Sequence, residues 1–452
     1  MTPTPEAPGR RFTRYCKDYK RILQLGAPIL VGQLGMIVVG FADNAMIGHY
    51  STDTLAAASF VNNVFNTAIL MAIGFTYGLT PLLGAMFSTG NFDKIGATLR
   101  KGLWLNIIYA LILTAVMTIV YFNLERLGQP EHLLPLIRPY FLIYLAGILP
   151  IVLFQVFAQC AYAVNSTKMP MWIVLGANAV NVGLNALLIY GTLGFPELGL
   201  TGAGIATLIA RWLCPLAIVV IFRTRPRYAK IANGFAKCRE SLSAKKLITT
   251  GLPVSFQMGF ETASFSAAAV MAGWLGHLQL AAFQIIVIVG MFGFCVYYGM
   301  GTAVSVLVAN ASTDGGNRRM REVAIAGYHI HLILVAAASI LFAIFGHEMT
   351  LIFTSDPEVE AMTMTLIIPL ILYQVADATQ INFSNALRGT ANVIPMLWSA
   401  LVAYIIIGIP ATYIMGFTLD MGIVGIVYSF SVSLIVAASL YLYFFMKTTS
   451  YK

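Results

Sequence analysis

The chain matches itself at a single offset of 225 residues, and that repeat limits what it can fold into. Gly26-Ala-Pro28 recurs as Gly251-Leu-Pro253, Leu55-Ala56-Ala57 as Leu280-Ala281-Ala282, Gln155 as Gln380, and Pro170-Met171 as Pro395-Met396. Further on, Leu198-Gly199 and Gly202 recur as Met421-Gly422 and Gly425, where the offset slips to 223. Two similar halves in a 452-residue chain place a site at their interface. When both halves are hydrophobic, the pattern is that of a secondary transporter.

Hydrophobic residues make up 59% of the chain and charged residues 10%, against about 25% charged in soluble domains. Crossing the hydrocarbon core takes about 20 apolar residues. Twelve runs qualify: 24–48, 54–82, 98–121, 138–161, 168–192, 199–222, 246–273, 279–308, 321–345, 364–388, 395–418 and 422–446. An even number per half starts both halves on the same side, so the repeat is parallel and not inverted. The ten-residue alternation of a barrel is missing. The expected fold is an all-α integral membrane protein, with twelve transmembrane helices in two six-helix lobes related by a parallel pseudo-two-fold repeat. Its parts are a cytoplasmic segment 1–23, an N-lobe 24–222, a cytoplasmic linker 223–245, a C-lobe 246–446 and a cytoplasmic tail 447–452.

Of the 27 Lys and Arg, 24 fall on one side of this topology. The positive-inside rule makes that side cytoplasmic, so both termini and the basic linker face the cytoplasm. The net charge of +9 is therefore a topology signal. It does not point to nucleic acid, because the bases are scattered over loops of one leaflet. The linker, with Pro226 and Gly234, reads as flexible. His329 and His331 read as a solvated pair at the cytoplasmic start of span nine. The five cysteines show neither metal-type spacing nor a place in an outer loop where a disulfide would form.

Three acids lie inside the spans: Asp43, Glu261 and Asp377. Each costs about 2.5–3.5 kcal/mol at a helix centre on insertion scales. Shifted by 225, their counterparts are Ala268, Met36 and Val152, so the fold tolerates apolar residues there and the acids are additions to the scaffold. Function is the default reading of such acids, and a buried structural pairing is the alternative. Tyr373 stands four residues before Asp377 and shares its helix face; Gln284 lies early in span eight. Asn181 and Asn185 share a face of span five, opposite Ile406 and Pro410 in the repeat. Carboxylate, amide and phenol oxygens suit a hard cation or a proton; for the two Asn, a helix–helix hydrogen bond is the competing reading. Glu261 and Asp377 are the candidates for holding Na⁺. Met258, Trp274, Phe292 and Tyr298 are candidates for lining a cavity for flat cationic ligands, with core or lipid packing as the plainer account. Arg211, a base at mid-span, could pair with an acid, snorkel to the surface or face the lobe interior.

At this point a resemblance enters. Gly251-Leu-Pro253 followed by Glu261, Ala281-Ala-Phe-Gln284, Tyr373-Gln-Val-Ala-Asp377, Ala386-Leu-Arg-Gly389 and Phe195-Pro-Glu-Leu-Gly199 resemble the MATE (multidrug and toxic compound extrusion) family, within it the NorM branch. Gly40-Phe-Ala-Asp43 with Met46-Ile-Gly48 resembles the family's first-span motif, and the likeness runs over roughly residues 20–445. It implies two six-helix lobes around a central cavity. It also implies export of cationic, mostly aromatic drugs or dyes against inward Na⁺ or H⁺, with no other cofactor. By the same resemblance the C-lobe cation site maps to Glu261, Tyr373 and Asp377, and the N-lobe site to Asp43 with Asn181 and Asn185. The Asp356-Pro357-Glu358 acids would be a solvated outer entrance. The expected setting is the bacterial inner membrane, with the chain working as a monomer in the bilayer. A lipid or polysaccharide flippase of the same superfamily is the alternative, but it should carry a basic cavity, and three intramembrane acids against one base argue otherwise. Motifs of hydrolases and metalloenzymes are missing, so no enzyme activity is expected.

Overall fold

The computed structural model describes residues 8–128, 130–314, 316–354 and 356–450. Residues 1–7 of the expected cytoplasmic segment, Tyr451 and Lys452 of the tail, and the side chains of Arg10 and Arg11 lie outside the described residues. Every regular element described is a helix: α1 (Pro8–Tyr50), α2 (Thr52–Tyr77), α3 (Leu79–Ser88), α4 (Phe92–Phe122), α5 (Leu134–Ala163), α6 (Lys168–Tyr190), α7 (Gly199–Thr224), α8 (Ala229–Lys237), α9 (Ala244–Leu275), α10 (His277–Asp314), α11 (Gly316–Phe353), α12 (Pro357–Thr365), α13 (Ile367–Gly389), α14 (Ile394–Ala400), α15 (Ile409–Tyr413) and α16 (Gly422–Thr448). Among the described residues ten helical stretches, α2 with α3 counting as one, are long and apolar enough to cross a membrane. An eleventh crossing is the pair α12–α13, bent by 46°. The 32-residue α9, which is not among these, takes the place of the seventh expected span, 246–273.

The chain forms two compact units, and their boundaries run through helices. One unit holds Val31–Gly259; the other holds Met1–Leu30 and Phe260–Lys452. The expected lobes began at 24 and 246, so each unit takes the opening segment of the other repeat's first helix. Glycine makes this possible. A Cβ on Gly26 would lie 2.7 Å from Met300 Sδ and 3.1 Å from the Gly299 carbonyl, and one on Gly251 would lie 2.7 Å from Phe75 Cδ2 and 2.8 Å from the Phe75 carbonyl. Met300 and Phe75 are themselves 225 residues apart. The sequence repeat is therefore a repeat of contacts as well as of residues.

The linker is not a loose tether. It folds into α8, which packs on α4 through Gly96 and Gly234, where any Cβ would overlap backbone. Arg100 on α4 donates to the carbonyls of Phe235 at 2.6 Å and Cys238 at 2.8 Å. That satisfies the carbonyls a helix C-terminus leaves open. Lys94 pairs with Glu240 beside it, and Lys101 donates to the Leu242 carbonyl at 3.0 Å.

In the other unit, α1 begins well before its span. Its 43 residues reach roughly 65 Å at about 1.5 Å per residue, twice the hydrocarbon thickness. The extra turns dock on α11: Asp18, buried, makes a two-pronged ion pair with Arg319, and the Tyr19 hydroxyl lies 2.8 Å from His329 Nδ1. The two histidines are not a solvated pair. His329 is exposed, but His331 is wholly buried, with Nδ1 2.8 Å from the Gly327 carbonyl and Nε2 3.0 Å from the Tyr297 carbonyl.

The span opposite α6 in the repeat departs from α-helical winding. Leu401–Gly408 and Ile414–Thr418 are π-helical, on either side of α15. Pro410 stands in the middle and has no N–H to offer the Ile406 carbonyl. Widened turns with bonds to the fifth residue are one way a helix absorbs such a defect.

Candidate functional sites

In the unit of residues 260–452, the acids gather among tyrosines. Asp377 on α13 is 2% exposed. Its Oδ2 has no hydrogen-bond partner, and Glu261 on α9 acts on it electrostatically. Tyr373, one turn earlier on α13, is buried within reach of both acids. Aromatic rings hold it in place: Phe430 at 6.0 Å and Phe265 at 6.3 Å between centroids. Gly290 on α10 leaves room for it, since a Cβ there would come within 3.1 Å of Tyr373 Cε1.

Sequence reasoning missed a second ring of residues. Tyr297 lies within electrostatic reach of Asp377, Tyr441 of Glu261, and Tyr404 of both acids. All three are buried. The Tyr297 and Tyr441 hydroxyls have no hydrogen-bond partner. Gln374, fully buried, donates to the Gly290 carbonyl at 3.1 Å and leaves Oε1 without a partner. Gln380 donates to the Tyr404 hydroxyl at 2.8 Å. Gln284, named from the sequence, stands exposed on α10; on the Asp377 helix Gln374 and Gln380 are buried, as are Asn382 and Asn385 further along. Spacing from Asp377 could have found the two glutamines, at three residues either side on one helix. The tyrosines gave no signal, because aromatic residues fill membrane cores in any case.

A buried carboxylate oxygen without a donor, beside phenol and amide oxygens, is a hard-oxygen set that attracts a monovalent cation or a proton. Among the described residues no three His, Cys, Asp or Glu gather as a metal cage; the acids come as a pair.

The unit of residues 31–259 builds a different pocket. Asp43 sits in the later part of α1, half-buried. Asn185 on α6, wholly buried, donates to its Oδ1 at 2.5 Å. Asn181, one turn away, faces the same oxygen. With its amide nitrogen toward the carboxylate it donates at 2.8 Å, and its oxygen accepts from the Thr207 backbone N–H at 3.2 Å and hydroxyl at 3.3 Å. The opposite amide orientation would set oxygen against oxygen, so the network fixes this one. Structure thus brings Asp43, Asn181 and Asn185 together and adds Thr207 on α7. Arg211, one turn after Thr207, lies over the Tyr144 ring with its guanidinium carbon 4.5 Å from the centroid.

The cavity-lining candidates are divided between the two units. Met258 belongs to the unit of Asp43, where its Sδ would lie 3.1 Å from a Cβ on Gly74. In the other unit Tyr298 is buried and stacks on Phe294 at 5.5 Å, Phe292 is exposed, and Trp274 is exposed with its ring 6.0 Å from Phe417. The Asp356 side chain accepts from the Glu358 N–H at 2.9 Å, an N-cap that starts α12.

The family described as MatE matches residues 28–187 and 253–414, one stretch in each repeat. The family described as Lipid II flippase MurJ matches 136–250. A "Probable multidrug resistance protein NorM" from Geobacillus kaustophilus is 30% identical over 397 residues, 87% of each chain. One from Pasteurella multocida is 29% identical over 443 residues, 95% of this chain and 94% of the relative. Among solved structures, the eukaryotic MATE transporter AtDTX14 superposes with a TM-score of 0.84 at 18% identity, over 96% of this chain and 98% of that one. A MATE in complex with MaL6 gives 0.84 at 20%, over 95% and 96%.

Proposed function

The chain belongs to the MatE family of membrane transporters, and from that premise we propose that it is an antiporter that expels cationic, amphipathic or aromatic compounds in exchange for inward Na⁺ or H⁺. The observation that carries the reading is the pair Glu261–Asp377, two carboxylates within electrostatic reach of each other in a membrane-spanning unit. Two carboxylates in a medium of low dielectric repel each other and draw a cation between them. Glu261 and Asp377 hold the coupling ion, and the Tyr373 hydroxyl and the free oxygen of Gln374 complete its surroundings. Asp43, with Asn181 and Asn185, forms a second pocket that responds to a cation, a proton or a positively charged substrate.

Binding drives a conformational cycle only if the ligand prefers one state. Ion and substrate do this here by competing for the same negative charge. A loaded ion neutralises the acids and weakens the hold on a positive drug, and the drug weakens the ion reciprocally. The names of the NorM relatives support multidrug substrates. The expected setting is the inner membrane, with both termini cytoplasmic, as the charge asymmetry suggests. The flippase reading is weaker, since the MurJ match covers 136–250 alone while the MatE match spans both repeats.

The test is dye efflux from proteoliposomes under an imposed Na⁺ gradient and then under an imposed pH gradient. Efflux driven by one of them supports the proposal and names the ion. A cationic dye that stays inside under both gradients would sink it.

A further inference from the structure

Asp43 has a positive neighbour within its own unit. Arg211 stands four residues after Thr207 on α7, so the two share a helix face, and Thr207 is bonded to Asn181, which is bonded to Asp43. The Arg211 guanidinium is seated on Tyr144, whose hydroxyl lies 3.5 Å from that of Tyr140. Both tyrosines are buried. Gly147 opens the notch for the head group: a Cβ there would overlap the guanidinium nitrogen and lie 3.3 Å from Arg211 Cδ. Arg211 and Asp43 are within electrostatic reach of each other, and both reach Tyr140. An arginine that merely snorkelled to lipid would need neither an aromatic seat nor a glycine notch for its head group. In the other repeat Arg211 corresponds, at the offset of 223, to Leu434, and Thr207 to Phe430.

We propose that Arg211 is the resident counter-ion of Asp43, seated on Tyr144 beside Gly147, and that any mobile cation entering this pocket must displace its charge. A tethered cation is always present at high local concentration, so it sets a threshold that a free monovalent ion seldom crosses. The two amides act in the same direction, because both present N–H groups to the carboxylate instead of oxygens to an incoming ion. Ion coupling then runs through Glu261 and Asp377, and the Asp43 pocket admits only a ligand that also gains from apolar contact, a hydrophobic organic cation. The proposal rests on the antiport reading above and specifies which unit does the coupling.

The experiment uses the full chain in lipid nanodiscs, with Glu261→Gln and Asp377→Asn present so that the other pocket is silent. Binding of radiolabelled Na⁺ and of tetraphenylphosphonium is measured separately. Arg211→Gln should raise Na⁺ affinity by roughly tenfold or more, the scale of one unit charge removed at several ångströms in a medium of intermediate polarity. Adding Asp43→Asn should erase that gain, and Arg211→Lys, which restores the charge, should take it away as well. Tetraphenylphosphonium should gain less than Na⁺. Arg211→Met, which keeps the aliphatic length, serves if the Gln variant fails to insert. Na⁺ affinity that does not change on removing Arg211, or a gain that survives Asp43→Asn, overturns the proposal. A chain without ion-driven efflux would fail the antiport reading alone, since the difference between Arg211→Gln and Arg211→Gln with Asp43→Asn still decides this one.

Discussion

Where one repeat has Asp43, Asn181, Asn185, Thr207 and Arg211, the other has Ala268, Ile406, Pro410, Phe430 and Leu434. Conversely, Glu261, Tyr373 and Asp377 stand opposite Met36, Ile148 and Val152. The two pockets are thus built at non-equivalent positions of a shared scaffold. Thr207 holds an amide in one unit; its counterpart Phe430 presses on Phe265 and Tyr373 in the other, at 4.5 and 6.0 Å. The Asp43 oxygen has two amide donors and a guanidinium nearby, while the Asp377 Oδ2 is buried with no donor at all. A carboxylate already answered by the protein needs nothing from solution. One left unanswered does, and on the proposals above that difference separates a pocket that tunes from a pocket that loads.

The sharpest way to break this contrast is to neutralise the Glu261–Asp377 pair. Glu261→Gln or Asp377→Asn should abolish ion-driven efflux, by about a hundredfold or more, while the protein still inserts, since an apolar residue stands at each corresponding position of the other repeat. Gradient-driven dye efflux at the normal rate in both variants would make the two pockets equals. Asp43→Asn should do less: a several-fold weaker hold on a cationic dye and a flatter response between pH 6 and pH 8, read by fluorescence titration. Unchanged affinity at both values would reduce Asp43 to a packing group.

The next prediction compares the exchanged helix segments. Gly251→Ala should cost about 1–3 kcal/mol of overpacking, because a Cβ would meet the Phe75 carbonyl at 2.8 Å and backbone cannot swing aside. Gly26→Ala should cost less, because its nearest neighbour is the flexible Met300 thioether. Thermal unfolding in micelles measures both, and the reverse order would mean the two segments are held differently. The smallest effect belongs to Glu240, whose carboxyl Lys94 holds below the usual range through a hydrogen bond and its charge. The stability it lends is present above about pH 4.3 and is lost as pH falls through its folded value. The melting temperatures of wild type and Glu240→Gln should therefore converge in acid and differ slightly at neutral pH; a constant gap would leave the pair without a role in docking α8.

Much of this was legible beforehand. Twelve apolar runs and one offset carried the fold, because membrane insertion leaves composition little freedom. Asp43, Asn181 and Asn185 were legible because polar groups at four-residue spacing in a span share a face, and the structure joins them. Tyr297, Tyr404 and Tyr441 were not, since a tyrosine in an apolar run looks the same whether it packs or serves. The linker 223–245 reads as loose because its basic residues suggest solvent, yet Arg100, far away in sequence, caps α8. The π-helical turns around Pro410 have no compositional trace beyond the proline. The boundaries at Leu30 and Gly259 have none, because the hydrophobic pattern runs through them without a break.

Those boundaries bear on ancestry. A repeat with an even number of crossings is what remains when a half-length gene is joined to its own copy. Yet half of this chain, cut anywhere in 223–245, is not a closed body: the groove that receives Gly26 belongs to Met300, and the groove that receives Gly251 belongs to Phe75. A six-helix forebear would have had to borrow that opening segment from a second copy and lend its own in return. A half-length chain with the same contacts would fill both grooves only by exchanging that segment with a second copy, the arrangement of a segment-swapped homodimer.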